Sequence, residues 1–589
     1  MATRSPYIRL LVVYLHPYRW NLLLLLALMM LGTAVTIASP QILALFIDAV
    51  FLHPAPEKLA GLGVAFLGLA LANQVLMIAI TYVSTDIGLR TTNRVRSDLT
   101  LHCLSLDMSF HNRITPGNLI ERIDGDVTNL NRFLSNFAVT LIRNLFLLAG
   151  AVIALFTVDW RAGVAVLAYM SCMVLMLDRM RRWAMPSIRQ ERANSAALFG
   201  LIEERLAATE DLRANGAVGY TLRRFTEYSR PWSRQLAIAH TMGDLPIQVA
   251  NVFFMGGIVG SIGLGSWLFG IGAISLGGVY AIYRYVELIR QPINQIGRQF
   301  QELQQAGAAI GRIEELFAQQ SAIPNQGTAA LPRAALGLTF ADVTFRYPDQ
   351  QDAQHAAVLE QLSFTLAPGQ VLGLLGRTGS GKSTIARLIT RQYEPQQGQI
   401  AIAGLPLAMI EREQLRAHVG LVTQDVQIFN ASVRQNLSLF DQSISDTALM
   451  VALAEVELLD WLHNLPEGLD TILAAGGGGM SAGQAQLLAL ARVLLRDPGL
   501  VILDEASARL DPATERRLDL AIDRLLRSPT RPRSAIIIAH RLSTVERADQ
   551  ILILEQGRCV ESGPRAALAA NPASRFAQLI RTGLEEVLA

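Results

Sequence analysis

Six long apolar stretches, at roughly 21–50, 59–83, 138–158, 162–180, 246–269 and 273–295, decide what this 589-residue chain can fold into. Each is near or above the ~20 residues an α-helix needs to cross ~30 Å of hydrocarbon. In that medium a backbone must satisfy its own N–H and C=O groups, so the stretches predict spanning helices. Apolar content of 51% and a mean hydropathy of +0.32 are high for a soluble protein, and the excess lies before residue 300. Buried helices of a large soluble domain would give similar runs, but not this placement of charge. Arg4, Arg9 and Arg19 precede the first stretch. Arg90, Arg94, Arg96, Arg113, Arg122 and Arg132 lie between the second and third, and a dense run from Arg179 to Arg234 lies between the fourth and fifth. The alternate connections offer Lys58, then Arg161, then no charge. The positive-inside rule therefore places both termini and both long loops in the cytoplasm of a multi-pass inner (plasma) membrane protein.

The two cytoplasmic stretches, 84–135 and 181–240, have helix-forming composition with few breakers beyond Pro116-Gly117, Pro186 and Pro231. They predict spans that continue beyond the bilayer at 1.5 Å per residue, with crosswise turns near 110–118 and 214–221. Residues 1–20, with Arg9, Arg19 and aromatics around Leu10 to Val13, read as an amphipathic elbow helix at the membrane surface. Arg143, Arg284 and Glu287 lie in or beside spans; intramembrane charges are site candidates by default, but these read as paired or snorkelling. Cys103, Cys172 and Cys559 are too far apart for a metal or redox spacing, so they read as reduced structural thiols. A Pro/Gly/polar stretch follows residue 320. The expected order is an elbow at 1–20, an all-α six-span domain at 21–320, a linker at 321–336 and an α/β domain at 337–589.

Only two of the chain's 51 lysines and arginines are lysine, and one is Lys382. It sits in Gly376-Arg377-Thr378-Gly379-Ser380-Gly381-Lys382-Ser383-Thr384, a phosphate-loop pattern between an apolar strand at 371–375 and a helix. Backbone N–H groups can cradle phosphates there, with a compact ammonium reaching the β/γ-phosphates. The planar guanidinium fork does not fit, which explains a lysine in an arginine-rich chain. Leu500 to Leu503 reads as a buried strand ending in Asp504 and Glu505. Carboxylates at that sheet edge suit an ATPase: Asp504 to hold Mg²⁺ with Ser383, Glu505 to polarise the attacking water.

Met480-Ser481-Ala482-Gly483-Gln484 precedes the apolar run 487–491 and the acidic strand. It resembles the LSGGQ signature of ATP-binding cassette (ABC) proteins, and with six spans in front the whole chain resembles an ABC exporter half-transporter. The resemblance implies further roles. Tyr347 would stack on adenine, Gln424 would touch Mg²⁺ and the water, His540 would contact the γ-phosphate, and Asp511 would lie in the loop crossing to a partner cassette. Ser481, Gly483 and Gln484 would act on ATP held by that partner. The implied protein is an ATPase using ATP and Mg²⁺ in the lipid bilayer. It would be dimeric with itself or a second half-transporter, exporting or flipping a hydrophobic or amphipathic small molecule, and it has no role with nucleic acid.

Three departures fall on the expected cassette–cassette face. Ala482 replaces a signature glycine, 508–511 reads Ala-Arg-Leu-Asp, and 475–479 lacks the glutamate that exporters usually carry there. The residues acting in cis are intact. Two alternatives stay open: one subunit of a heterodimer with one weakened ATP site, and an ATP-gated regulator with little turnover.

Overall fold

The computed structural model describes residues 6–51, 56–324, 327–348, 357–477, 479–504, 512–527, 531–539 and 545–582. Contacts divide the chain into two units: Met1–Leu104 with Gly117–Gln319, and Ser105–Pro116 with Gln320–Ala589.

The first unit is helical. The elbow α1 (Pro6–Leu15) is joined by a 3₁₀ turn at His16–Tyr18 to α2 (Arg19–Phe51). There follow α3 (Pro56–Ser105), α4 (Pro116–Val158), α5 (Trp160–Ala207), α6 (Val218–Gly270) and α7 (Leu276–Ala318). Among the described residues, five runs, with α1 and α2 counted together from Leu10, are long and apolar enough to cross a membrane. The helix over the sixth predicted stretch, α7, is not among them and carries Arg284, Glu287 and Arg290. One face buries Ile282, Tyr285, Val286 and Ile289 against Phe254 of α6 and Leu155 of α4. Arg284 and Glu287 pair with each other, and Arg290 donates to Asn251 Oδ1 at 3.3 Å. Arg143 does not pair: its Nη1 contacts Met77 Sδ at 2.9 Å, and among the described residues no carboxylate meets it.

Asp48 of α2 fixes the start of α7, accepting from Ser275 Oγ at 2.6 Å and Gly277 N at 2.7 Å. A Cβ at Gly277 would stand 2.2 Å from Ala44 O. Outward-facing Leu23, Leu31, Val64, Leu71, Val75 and Ile78 are exposed. Such a patch is a liability in water and ordinary against lipid. The helices continue past the spans as predicted. α4 includes π-helical turns at Glu121–Asp126 and Phe133–Phe137, and the buried Asp126 takes Nε of Arg312 at 2.8 Å. The turn after α5 starts at Ala208, with a short helix Thr209–Ala214, earlier than 214–221. Gly216, at φ +66, ends it as a left-handed cap.

The second unit contains two main sheets. β1 (Leu338–Phe345), β2 (Leu359–Leu366), β4 (Gln397–Ile402) and β5 (Leu405–Pro406) form an antiparallel sheet ordered β2-β1-β4-β5. The other strands are β3 (Val371–Gly376), β6 (Val419–Val422), β7 (Leu500–Asp504), β8 (Ser534–Ile538), β9 (Gln550–Glu555) and β10 (Arg558–Pro564), ordered β10-β9-β3-β8-β7-β6. All neighbours in this sheet are parallel except the β9–β10 hairpin. Its two-residue turn, Gln556-Gly557, has φ +49 and +78, the type I′ geometry that matches strand twist. Helices α8 (Lys382–Ile389) and α9 (Ala482–Arg496) complete the elements needed below. The stretch read as a linker packs on this unit: Ile323, Leu331 and Leu336 are buried, and Ala329 bridges to Ile410.

Candidate nucleotide-binding site

β3 is buried along all six residues, as a strand covered on both faces must be. It ends on Gly376, where a Cβ would stand 2.4 Å from Leu554 O and 2.6 Å from Ser380 Oγ. The chain turns through Arg377, Thr378, Gly379 and Ser380 to Gly381, the N-cap of α8, at φ +105. That left-handed value is open to glycine and strained for other residues. The first N–H groups of α8 lack helical partners and suit an anion. Lys382 is buried, and its Nζ donates to Gly376 O at 2.6 Å and Arg377 O at 3.0 Å. Among the described residues Ser380 Oγ is buried without a hydrogen-bond partner, an orphan that a phosphate oxygen would satisfy.

Parallel register builds the rest. Ile538 pairs with both Leu374 and Asp504, and Leu503 with Val422. The carboxyl ends of β3, β8, β7 and β6 therefore share one edge, the ligand edge of a doubly wound sheet. That edge brings the Lys382 loop, Asp504 and Gln424 together, with Ser383 exposed on the first turn of α8. A hydroxyl, a carboxylate and an amide oxygen are hard donors of the kind Mg²⁺ takes, so the residues fit that ion.

Tyr347 is drawn to the same loop. Its hydroxyl lies 3.0 Å from Thr384 Oγ1 and accepts from Arg387 Nη1 at 2.9 Å. Its ring stands edge-on to Phe345 and Tyr393 at 4.9 and 5.1 Å. The short helix Met108–Arg113 also belongs here: Asn112 Nδ2 donates to Tyr393 OH at 2.7 Å. Asp107 caps that helix through Phe110 N and accepts from Ala322 N at 2.6 Å. Burial pushes its carboxyl up, but the N–H groups of Ala322 and Phe110 and the Ser109 and Ser321 hydroxyls outweigh it and hold Asp107 below its usual 3.8. Nothing local in the sequence marks Asp107, Asn112 or Tyr393, because their partners lie far along the chain.

The signature residues serve α9. Ser481 Oγ accepts from Gln484 N at 3.1 Å, and Gln484 Oε1 accepts from Ser481 N at 2.9 Å, a capping box that leaves the helix N-terminus well formed. Ala482 is the first helical residue and Gly483 is buried, so the methyl at 482 costs the helix nothing. Among the described residues no hydrogen bond joins this segment to the Lys382 loop. Glu505, Asp511 and His540 lie outside the described residues, as do 508 and 509.

Residues 359–508 match the ABC transporter family, and 22–293 match the ABC transporter transmembrane region. The chain is 29% identical over 575 residues to an ATP-dependent lipid A-core flippase of Chromobacterium violaceum, covering 95% of this chain and 94% of the relative. It is 30% identical over 485 residues to a probable multidrug resistance ABC transporter ATP-binding/permease protein of Bacillus subtilis, covering 82% and 70%. A solved bacterial Atm1-family ABC exporter with ATP bound shares the fold at TM-score 0.76 and 24% identity, over 96% and 98% of the chains. The chain belongs to the ABC transporters, in the half-transporter form of exporters and flippases. It is a multi-pass membrane protein with an ATPase coupled to transport.

Proposed function

We propose that the chain exports or flips a hydrophobic or amphipathic compound out of the cytoplasm or inner leaflet by alternating access. The observation that carries this is the phosphate loop, with Lys382 seated at the foot of α8, in a chain whose other unit has long helices with exposed apolar faces. Two ATP molecules close two cassettes, which favours an outward-open bundle, and hydrolysis resets it. The driving force is the differential affinity of ATP for the closed dimer. Lys382, the 376–384 loop and Tyr347 hold ATP in cis; Ser481, Gly483, Gln484 and Asp511 complete it from the partner. Ser383, Gln424 and Asp504 hold Mg²⁺, which supplies charge neutralisation on the phosphates when bound. Glu505 acts as base, with Gln424 and His540 orienting the water and γ-phosphate. Arginine placement puts the termini and cassette in the cytoplasm of the inner membrane.

An amphipathic lipid is the favoured substrate class, supported by the flippase relative and the apolar spans. Purified protein in liposomes should show ATPase stimulation by such compounds within a panel; stimulation by none would remove the substrate reading. A heterodimer is the second reading, favoured by Ala482 and the altered 475–479 and 508–511 stretches. Expression alone decides between the two: a stable homodimer with full Mg·ATP turnover removes the need for a second chain.

Two further outcomes follow from the geometry. Base–aromatic stacking contributes about 1–3 kcal/mol, so Tyr347→Ala should weaken ATP binding about 5- to 150-fold by titration, and Tyr347→Phe far less. Asp107→Ala should leave basal ATPase but blunt its stimulation by transported compounds, because the helix at Met108–Arg113 loses its cap and its tie to Ala322. A carboxyl with a lowered folded value stabilises above its ordinary 3.8 and loses that contribution only as pH falls further. Stimulation should therefore be insensitive to Asp107 titration from pH 5 to 8.

A further inference from the structure

α9 also grips the loop that begins at Gln424. Gln486 Nε2 donates to Gln424 O at 2.8 Å. Arg492 Nη1 donates to Gln427 O at 3.0 Å, Nε to Asn436 O at 2.7 Å and Nη2 to Asn436 Oδ1 at 3.1 Å. Asn436 is fully buried and holds the same loop from its far side, accepting from Phe429 N and donating to Phe429 O. Carbonyls at 424, 427 and 429 thus hang from α9, directly or through one asparagine.

Neither α9 side chain is one that packing alone would select. Among the described residues Gln486 Oε1 is buried without a partner, and an apolar side chain of similar length would avoid that loss. Arg492 meets only carbonyl and amide oxygens; among the described residues no carboxylate pairs with it, and burial pushes its guanidinium down to about 10. Burying such groups is costly unless hydrogen bonds offset it, and the bonds made here all go to one stretch of chain. What the two share is an acceptor set on one backbone segment. These contacts take main-chain oxygens, so they fix the path of the loop without using the Gln424 side chain.

We propose that Gln486 and Arg492 are positioning residues that join the Gln424 loop and the signature helix into one rigid element, so that Gln424 and Ser481 shift together. The proposal rests on the reading of Gln424 as a residue of the ATP site. The link is mechanical: α9 is capped at Ser481 and latched at Gln486 and Arg492, so a displacement of the loop carries the cap with it.

The test uses full-length protein in liposomes with Gln486→Leu, Arg492→Lys and Gln424→Ala. Gln486→Leu keeps volume and removes the buried orphan; Arg492→Lys keeps charge but cannot span Gln427 and Asn436 together. Both should keep the wild-type thermal midpoint and bind ATP within about twofold without Mg²⁺, while kcat falls about tenfold or more at unchanged KM. Half-saturating Mg²⁺ should rise, and amide exchange at 425–430 should quicken without nucleotide. If Gln424→Ala turns over normally, the reading beneath the proposal fails and takes the proposal with it. If Gln424→Ala is slow while both α9 variants stay within twofold of wild type, positioning by α9 alone is overturned. A rate loss that merely follows a lowered thermal midpoint would also overturn it, by marking the latch as structural.

Discussion

Lys382→Ala is expected to lower ATP turnover about 10²–10³-fold, the usual loss when one preorganised donor is removed from a charge-developing site. The ammonium donates to carbonyls of its own loop, Gly376 O and Arg377 O. Its removal should therefore leave β3 and α8 folded and the bundle inserted. Loss of rate should come with loss of ATP retention, because the positive charge acts on bound as well as reacting phosphate. Lys382→Arg should fail almost as badly. A planar guanidinium cannot sit between those two carbonyls beside Gly376, where a single Cβ already meets backbone at 2.4 Å. Turnover and nucleotide titration on detergent-purified protein check both variants. A Lys382→Arg protein with wild-type rate would remove the reasoning that links lysine to the loop's shape.

Glu505→Gln is expected to give the opposite pattern. General-base assistance contributes about 10²–10⁴-fold, so kcat should fall by about that factor while ATP stays bound. The amide keeps the shape of the carboxylate but cannot take a proton from water. Retained ATP should hold the cassettes closed, seen as a nucleotide-dependent dimer that persists through gel filtration. An unchanged ATPase rate would restore the regulator reading with little turnover. Together the two variants separate binding from chemistry, one losing ATP and the other keeping it.

Much of this was legible in the sequence, because phosphate loops and membrane spans are local patterns. Gly376, Gly381 and Lys382 must lie within a few residues of one another to shape a cradle, and an apolar run announces its own length. Asp504 was legible at one remove, since parallel strands put their ends on a common edge, and Gln424 only through the family resemblance. What stayed hidden depends on partners distant in the chain. Asn112 meets Tyr393 across 281 positions, and Arg492 meets Gln427 across 65. The sixth span shows the limit of hydropathy, because α7 places Arg284 and Glu287 together and buries its apolar face within the bundle. The capping role of Ser481 and Gln484 was also unread, although Ser-x-x-Gln ahead of an apolar run is its ordinary signal.

Spin labels at Ala273→Cys on each copy, in a background with Cys172 and Cys559 replaced, would report whether ATP at the cassette moves the bundle. The distance distribution should shift when Mg·ATP is added to the Glu505→Gln protein in liposomes and stay put in the Lys382→Ala protein. Identical distributions with and without nucleotide, in protein shown to hold ATP, would contradict the claim that binding at Lys382 drives the membrane helices.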